Sequence, residues 1–301
     1  MKYLAALADY EQPQRLGGED PRPIYNFGLV LMQRGDYVGA IREFDRAAAM
    51  APNDVHVRVR RAQANRMLGN LPAAKLELEE VLKRNPDSAD ALSELAFVLW
   101  NLKDAKGALE VADRVTKLDP QRATEPWIRG LWQASREEWG SAEKSYQAAL
   151  ERDPENASLL NNHAGVLLHL GKPGEALADL DKALALKPDH VLARWNRIRA
   201  AIDLGDADEA LSDLKALEKP ASSSEALGHA EFLASACLKA GRQLPPGKSR
   251  AIVEECLARI ALLSASRDET FIRRLKETPS IATLARNPAT ARRIFPEVKS
   301  N

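Results

Sequence analysis

Apolar and small residues recur along this chain at steps of three and four, which is the spacing of one face of an α-helix. In the segment Gly35–Asp54 these positions are Tyr37, Ala40, Ile41, Phe44 and Ala47. Pro52 ends the pattern, because proline cannot continue a helix. The segment predicts one amphipathic helix with a small residue, Ala40, at the centre of its apolar face.

The same pattern repeats along the chain at a constant interval. Prolines stand at 52, 86, 120, 154 and 188. A series of alanines precedes them in fixed register, at Ala40, Ala74, Ala108, Ala142 and Ala176, and continues at Ala210. A second series of small residues lies earlier in each repeat, at Gly28, Ala62, Ala96, Gly130 and Ala164. Turn residues such as Gly35-Asp36 separate the two series. Each repeat is therefore predicted to be helix, short turn, helix and a proline-ended loop.

The small residues predict where the two helices of a repeat cross. Glycine or alanine lets two helix backbones approach closely enough for the ridges of one to enter the grooves of the other. Larger residues four positions after each alanine, such as Phe44, are expected to fill the space up to the next repeat. Helices of this length are marginal alone, so stability is expected to come from stacked neighbours.

This arrangement resembles the tetratricopeptide repeat family, whose repeats are about 34 residues long. The matching features are small residues at repeat positions 8 and 20, a Gly-Asp turn at 15 and 16 and proline at 32. The resemblance implies an all-α fold, a right-handed α-solenoid of helix-turn-helix repeats with a helical C-terminal cap. The expected organisation is a lead-in or N-terminal cap at 1–20, repeats at 21–54, 55–88, 89–122, 123–156, 157–190 and 191–224, a degenerate seventh repeat at 225–264 and the cap at 265–301.

The C-terminal part loses the repeat register, and its elements are predicted from local signals. These are a helix over Glu225–Ala240 ending at Gly241, a loop over Arg242–Lys248, a helix capped by Ser249 and running to Ser264, a helix near Asp268–Glu277 and two short turns broken by Pro279 and Pro288. From residue 267 onward there are eight Lys and Arg against four Asp and Glu. That mild basic bias indicates a solvated cap surface, with a partner site as the alternative.

The composition and charge of the chain limit the kinds of partner and the compartment that can be expected. Lys and Arg together number 43, as do Asp and Glu, so net charge gives no reason to expect nucleic acid as a partner. Only two cysteines are present, Cys237 and Cys256, which favours a reducing compartment and inert core thiols. The apolar run Tyr3–Ala8 is too short for a secretory signal or a membrane span. A cytoplasmic location is expected, or a periplasmic one if a signal segment has been removed.

No pattern of catalytic or metal-binding residues stands out. The stretch Gly241–Ser249 has five residues between its glycines where a phosphate loop needs four, and it follows a predicted helix instead of a strand. The histidines show no ligand spacing, and His163 is predicted to be a hydrogen-bonded core residue. The sequence therefore predicts a protein that is not an enzyme and that uses no cofactor and no metal.

In the tetratricopeptide family the first helix of each repeat lines the concave surface, chiefly through positions 2, 5, 6, 9, 12 and 13. Transferred to this sequence, the resemblance implies a partner-binding groove lined by Tyr25, Asn26, Leu29, Arg60, Gln63, Arg66, Phe97, Trp100, Asn101, Trp127, Asn162, His169, Trp195, Asn196 and Arg199. Aromatic residues are common interface anchors. Asparagine amides can pair with both polar groups of a bound backbone. For Trp127 and Trp195, packing against the adjacent repeat is an equal alternative.

The first helix of repeat 2 is rich in arginine and contains no acid. Arg58 and Arg61 are expected to pair with glutamates at 77, 79 and 80 of the partner helix. Arg60 and Arg66 are expected to face the groove and to favour an acidic ligand segment. The carboxylate clamp by which family members hold chaperone tails is absent from the first three repeats.

These observations predict a non-enzymatic scaffold or adaptor that binds an extended or helical segment of another protein in its groove. Three alternatives remain open at this stage. The chain could be a regulatory receptor that responds to a small peptide, or a self-assembling homo-oligomer. It could also be the repeat portion of a larger enzyme such as a glycosyltransferase. The sequence does not identify the partner.

Overall fold

The computed structural model describes residues 20–217, 223–265 and 269–295, and within them all regular structure is helical. The seventeen helices are α1 (Arg22–Gln33), α2 (Tyr37–Met50), α3 (Val55–Met67), α4 (Leu71–Arg84), α5 (Ala89–Asn101), α6 (Ala105–Leu118), α7 (Thr124–Ser135), α8 (Trp139–Arg152), α9 (Ala157–His169), α10 (Pro173–Leu186), α11 (Val191–Leu204), α12 (Ala207–Ala216), α13 (Ser223–Gln243), α14 (Pro246–Ala265), α15 (Glu269–Glu277), α16 (Pro279–Ala285) and α17 (Pro288–Ile294). The predicted all-α class of helix-turn-helix repeats is confirmed. The N-terminal lead-in predicted at 1–20 lies almost entirely outside the described residues.

The helices keep the period seen in the sequence. The second helices of the six repeats begin at the same constant interval as the prolines, at Tyr37, Leu71, Ala105, Trp139, Pro173 and Ala207. Among the first helices, α7 has 12 residues where α5 and α9 have 13. Pro126 lies in the first turn of α7.

The chain divides into two compact units, unit 1 (1–136 with 151–153) and unit 2 (137–150 with 154–301). Within unit 1, α3 touches α1 and α5, and α5 touches α7, whereas α2, α4 and α6 touch first helices but, among the described residues, not one another. Within unit 2, α11 touches α9 and α13 in the same way. Each unit therefore has an inner layer made of the first helices, here called the first-helix layer.

Small residues let the two helices of a repeat meet. A Cβ atom placed on Gly28 of α1 would lie 2.5 Å from ring atom Cε1 of Phe44 on α2. Ala40, opposite on α2, is completely buried. The equivalent alanines are also completely buried: Ala74, Ala108, Ala142, Ala176 and Ala210. The position of the small residues at the helix crossings is thus set by steric exclusion.

The C-terminal helices differ from their predicted bounds. Helix α13 continues past Gly241 to Gln243, and α14 already begins at Pro246, so the loop predicted over Arg242–Lys248 is wrong. Leu244 in the short connection is 6% exposed and packs into the core of unit 2. Proline suits the first position of a helix, which explains the early start of α14.

Two further C-terminal predictions are corrected. Ser249 does not cap a helix. It lies in the first turn of α14, where its hydroxyl donates to the Pro246 carbonyl oxygen at 3.3 Å. The turns predicted around Pro279 and Pro288 are short helices, α16 and α17, that begin at those prolines. The helix predicted near Asp268–Glu277 is present as α15.

A polar contact recurs between the two helices of several repeats. Arg61 Nε donates to Glu77 at 3.1 Å, and four repeats later Arg197 Nε donates to Asp213 at 2.7 Å. His163 occupies the same repeat position, with its Nδ1 2.6 Å from Asp179 Oδ2. The predicted ion pairing of Arg61 and the predicted role of His163 as a hydrogen-bonded core residue are confirmed. These side-chain contacts connect the first helix of a repeat to its second helix.

The residue between the two helices of each repeat adopts a left-handed conformation. Four of the six are glycines, but Lys103 and Glu137 have φ angles of 66° and 60°. Left-handed backbone brings Cβ close to the following carbonyl oxygen, which is unfavourable for any residue with a side chain. Lys103 therefore carries a local cost that glycine would avoid.

Substituting Gly28 by valine tests the helix crossing. We expect Gly28→Val to lower the free energy of unfolding by about 2 kcal/mol, since overpacking a filled core costs roughly 1–3 kcal/mol. Gly174→Val is the matched control, because a Cβ there meets nothing within 4 Å. Urea denaturation of both variants gives the comparison, and equal stabilities would show that the crossing tolerates a side chain.

Substituting Lys103 by glycine is expected to stabilise the protein. Relief of the left-handed strain, which costs roughly 1–2 kcal/mol, exceeds the extra backbone entropy that glycine brings to the unfolded chain. The control is Lys182→Gly at an exposed position inside α10, which we expect to destabilise by about 1 kcal/mol. Thermal unfolding measures both, and a lower melting temperature for Lys103→Gly contradicts the interpretation.

Candidate functional site

The first repeat contributes mainly apolar contacts to the predicted groove. The ring of Tyr25 lies 5.8 Å from that of Phe44, and Leu29 packs on the same core cluster. Both side chains are half-buried, whereas Asn26 is exposed. Tyr25 and Leu29 therefore pack in the core of the first repeat, and Asn26 is the most exposed of the three residues.

The second repeat places its two predicted groove arginines in different settings. Arg60 is exposed, and its Nη1 donates to Gln63 Oε1 at 2.8 Å. Arg66 forms an ion pair with Glu94 of α5, and the two side chains are only 16% and 8% exposed. The guanidinium carbon of Arg66 also lies 5.5 Å from the centre of the Phe97 ring. The expectation that Arg66 offers its charge to an acidic ligand is wrong, because Glu94 already neutralises it.

Three aromatic residues of unit 1 form an aromatic patch on the first-helix layer: Phe97, Trp100 and Trp127. The Phe97 and Trp127 rings meet edge to face, with centres 4.7 Å apart at 68°. All three side chains are half-buried, so each keeps an accessible part. Phe97 and Trp100 also pack against the core of unit 1. Asn101, next to Trp100, is exposed.

Trp195 in unit 2 mainly packs between helices. Its ring stacks on Phe232 of α13 at 4.8 Å and 5°, and it meets the His229 ring edge on at 4.7 Å. The indole Nε1 is buried and has no hydrogen-bond partner among the residues that the structure describes. Of the two expectations for Trp195, packing against the next repeat is the one that the structure favours.

Beside Trp195 lies an amide cluster, defined by Asn161, Asn162, Asn196 and Arg199. The Asn196 amide donates to Asn161 Oδ1 at 3.0 Å, and the Asn161 amide donates to Asn162 Oδ1 at 3.4 Å. Arg199 Nη1 donates to Asn196 Oδ1 at 3.4 Å. The cluster spans α9 and α11, so predicted groove residues from two adjacent repeats are brought together by side-chain hydrogen bonds.

His169 sits at the end of α9 and stacks on an indole that the groove prediction missed. Its ring lies 4.1 Å from that of Trp139, with an angle of 2° between the planes. Partial desolvation lowers the pKa of His169, and the positive charges of Arg199 and Lys239 lower it further, against the opposing effect of Glu137. The net effect favours the uncharged form of the imidazole. Lys239 is itself paired with Asp203 at 2.6 Å.

The residues missed by the sequence prediction have identifiable reasons. Trp139 begins a second helix, and the family pattern assigns the groove to first helices. His229 lies one repeat length after Trp195, so extending the repeat register into 225–264 would have found it. Phe232 occupies the next position at which a small residue is expected, and nothing in the repeat pattern indicates an aromatic there.

The remaining candidate chemistry is structural. Cys237 and Cys256 are both buried. Burial raises the pKa of the Cys237 thiol to about 11 and raises that of Cys256 as well. Among residues 20–217, 223–265 and 269–295, no three His, Cys, Asp or Glu side chains are grouped so as to hold a metal ion. No helix in those ranges is both long enough and apolar enough to cross a bilayer.

Known proteins share this repeat pattern. A family model described as "Tetratricopeptide repeat" matches residues 25–77, 130–190 and 166–226, and a second with that description matches 68–127. The Thermus thermophilus protein TTC0263, a thermophilic tetratricopeptide repeat protein, has a crystal structure that superposes with a TM-score of 0.52 at 25% identity, covering 61% of this chain and 98% of that one.

Two curated relatives are longer proteins. Protein FlbA of Caulobacter vibrioides is 28% identical over 238 residues, which is 78% of this chain and 33% of FlbA. Human protein O-mannosyl-transferase TMTC1 is 27% identical over 173 residues, covering 56% of this chain and 20% of that protein. The chain thus spans a third or less of the length of these relatives.

The two thiols should be unreactive while the protein is folded. We expect neither Cys237 nor Cys256 to react with iodoacetamide at mildly alkaline pH, because both are buried and little thiolate forms when the pKa is raised. Both should react after denaturation in urea. Mass spectrometry counts the modified thiols, and rapid labelling of the native protein would contradict the described packing.

Proposed function

Since the chain belongs to the tetratricopeptide repeat family, we propose that it is a non-enzymatic scaffold that holds a segment of a partner protein on its first-helix layer. The aromatic patch of unit 1 is the observation that carries this proposal. Indole and phenyl rings bury much apolar area with few rotatable bonds, which makes them strong anchors at protein interfaces.

The patch is suited to an apolar side chain of the partner. Phe97 and Trp127 fix each other edge to face, so their accessible surfaces are preorganised before any ligand arrives. Trp100 lies one helical turn from Phe97 on the same face of α5. A partner residue placed against Trp100 would bury apolar area on both molecules without a rearrangement of the helices.

Polar side chains around the patch can form hydrogen bonds with the backbone of the partner segment. Arg60 and Asn101 are exposed, and Gln63 is half-buried. Amide side chains offer both donors and acceptors, so they can satisfy the N–H and C=O groups of an extended chain. An apolar anchor with a polar surround is the usual anatomy of a specific protein interface.

We assign binding instead of catalysis because the titratable pairs have structural positions. His163 and Asp179 join α9 to α10 at the repeat position where Arg61–Glu77 and Arg197–Asp213 join their own helices. The first-helix layer presents indoles, amides and guanidinium groups, which are binding groups. Any enzymatic activity would have to be supplied by another protein or domain.

The proposal is tested by selecting binding peptides from a displayed library of short random sequences with the purified full chain. We expect Trp100→Ala to weaken binding of the selected peptides by about 2 kcal/mol, the loss typical of a hot spot. That corresponds to a roughly thirtyfold larger dissociation constant. Leu76→Ala on the outer helix α4, where the side chain is 62% exposed, should leave binding unchanged.

A second variant separates binding from folding. Trp100 packs partly against the core, so its removal also affects stability, whereas Asn101 is exposed. Asn101→Arg should keep the melting temperature and still obstruct the patch. Peptides that bind Trp100→Ala and Asn101→Arg as tightly as the unaltered chain would contradict the proposed face, and so would a library from which nothing is enriched.

A further inference from the structure

We propose that the first-helix layer of unit 2 holds a carboxylate of a partner segment, at a site formed by Arg199 with the amides of Asn162 and Asn196. This inference rests on the proposed function and assigns the chemistry of one residue of a segment bound to unit 2. It replaces the expectation that Arg66 of unit 1 binds acidic groups of the partner.

Arg199 differs from the other half-buried arginines of the described residues. Each of those forms an ion pair with an acidic side chain: Arg58, Arg61, Arg66, Arg122, Arg194, Arg197 and Arg259. Arg199 is half-buried, yet no carboxylate lies within ion-pair distance of it among the described residues. A partly desolvated guanidinium without a counter-charge gains strongly from a carboxylate, because charge-assisted hydrogen bonds are about twice as strong as neutral ones.

The hydrogen bonds around Arg199 leave donors available. One guanidinium nitrogen donates to Asn196 Oδ1 at 3.4 Å, and a guanidinium has five N–H donors in all. Asn196 is held in turn by Asn161, which is 6% exposed. The amide cluster therefore fixes the guanidinium in place before a ligand binds, which lowers the entropy cost of binding.

The surface above the cluster has room for a ligand atom. Gly165 of α9 has no side chain, and a Cβ placed there would meet only Asn196 Nδ2, at 3.9 Å. A carboxylate oxygen entering beside Gly165 comes close to the Asn196 amide. The absence of a side chain at this position leaves the polar cluster open on the side of the first-helix layer.

The acidic residue one helical turn after Arg199 is already paired. Asp203 Oδ2 lies 2.6 Å from Lys239 Nζ, so Asp203 leaves the Arg199 guanidinium without a counter-charge.

The test uses the same displayed peptide library with three forms of the full chain: unaltered, Arg199→Gln and Arg42→Gln. Peptides enriched on the unaltered chain should carry Asp or Glu at one fixed position. That preference should vanish on Arg199→Gln and persist on Arg42→Gln, the matched control, which removes an exposed arginine from the second helix α2. A selected peptide should bind Arg199→Gln roughly tenfold more weakly, the loss expected of a charged hydrogen bond.

A double substitution identifies the contact. Changing the acidic residue of that peptide to its amide should cost the same roughly tenfold on the unaltered chain and nothing further on Arg199→Gln, as coupled partners require. Enriched peptides without any acidic preference, or an equal preference on Arg199→Gln, would overturn this inference and leave the proposed function intact. If no peptide is enriched, the proposed function fails and this inference fails with it.

Discussion

The structure depends on the close approach of the two helices in each repeat. Gly28 leaves no room for a side chain beside Phe44, and the completely buried alanines Ala74, Ala108, Ala176 and Ala210 occupy the position equivalent to Ala40 in later repeats. Within a unit the first helix of one repeat touches the first helix of the next, whereas the described second helices of repeats 1 to 6 do not touch one another. A single steric condition, applied once in every repeat, thus produces a layered fold from helices that are too short to be stable alone.

The first-helix layer carries different chemistry in the two units. Unit 1 presents the aromatic patch and the exposed Arg60, whereas Arg66 forms an ion pair with Glu94. Unit 2 presents side-chain amides and Arg199, while the Trp195 ring packs against the rings of Phe232 and His229. In both units the residues that stabilise the stack and the residues offered to a partner stand on the same helices. Packing therefore decides which of the predicted groove residues remain available for binding.

The repeats could be predicted from the sequence because each one has a small residue at the position where its two helices cross, as at Ala40 and Gly28. The prediction failed after repeat 6, where the register is lost: α13 passes Gly241, and Pro246 begins a helix within a predicted loop. The candidate site was predicted only as a set of positions. The pairing of Arg66 with Glu94 joins different repeats, and the stacking of His169 on Trp139 joins a first helix to a second. No single helix pattern contains such contacts, so only the packed structure reveals them.

The central claim is that partners bind the first-helix layer, and position-specific photo-crosslinking tests it most directly. A benzophenone amino acid is placed in turn at Arg60 and Asn101 on first helices and at Val38 and Leu76, which are 48% and 62% exposed on second helices. The selected peptide is then added and irradiated with each full-length variant. Adducts from positions 60 and 101, with none from 38 and 76, are the result predicted here. Adducts confined to 38 and 76 would contradict it.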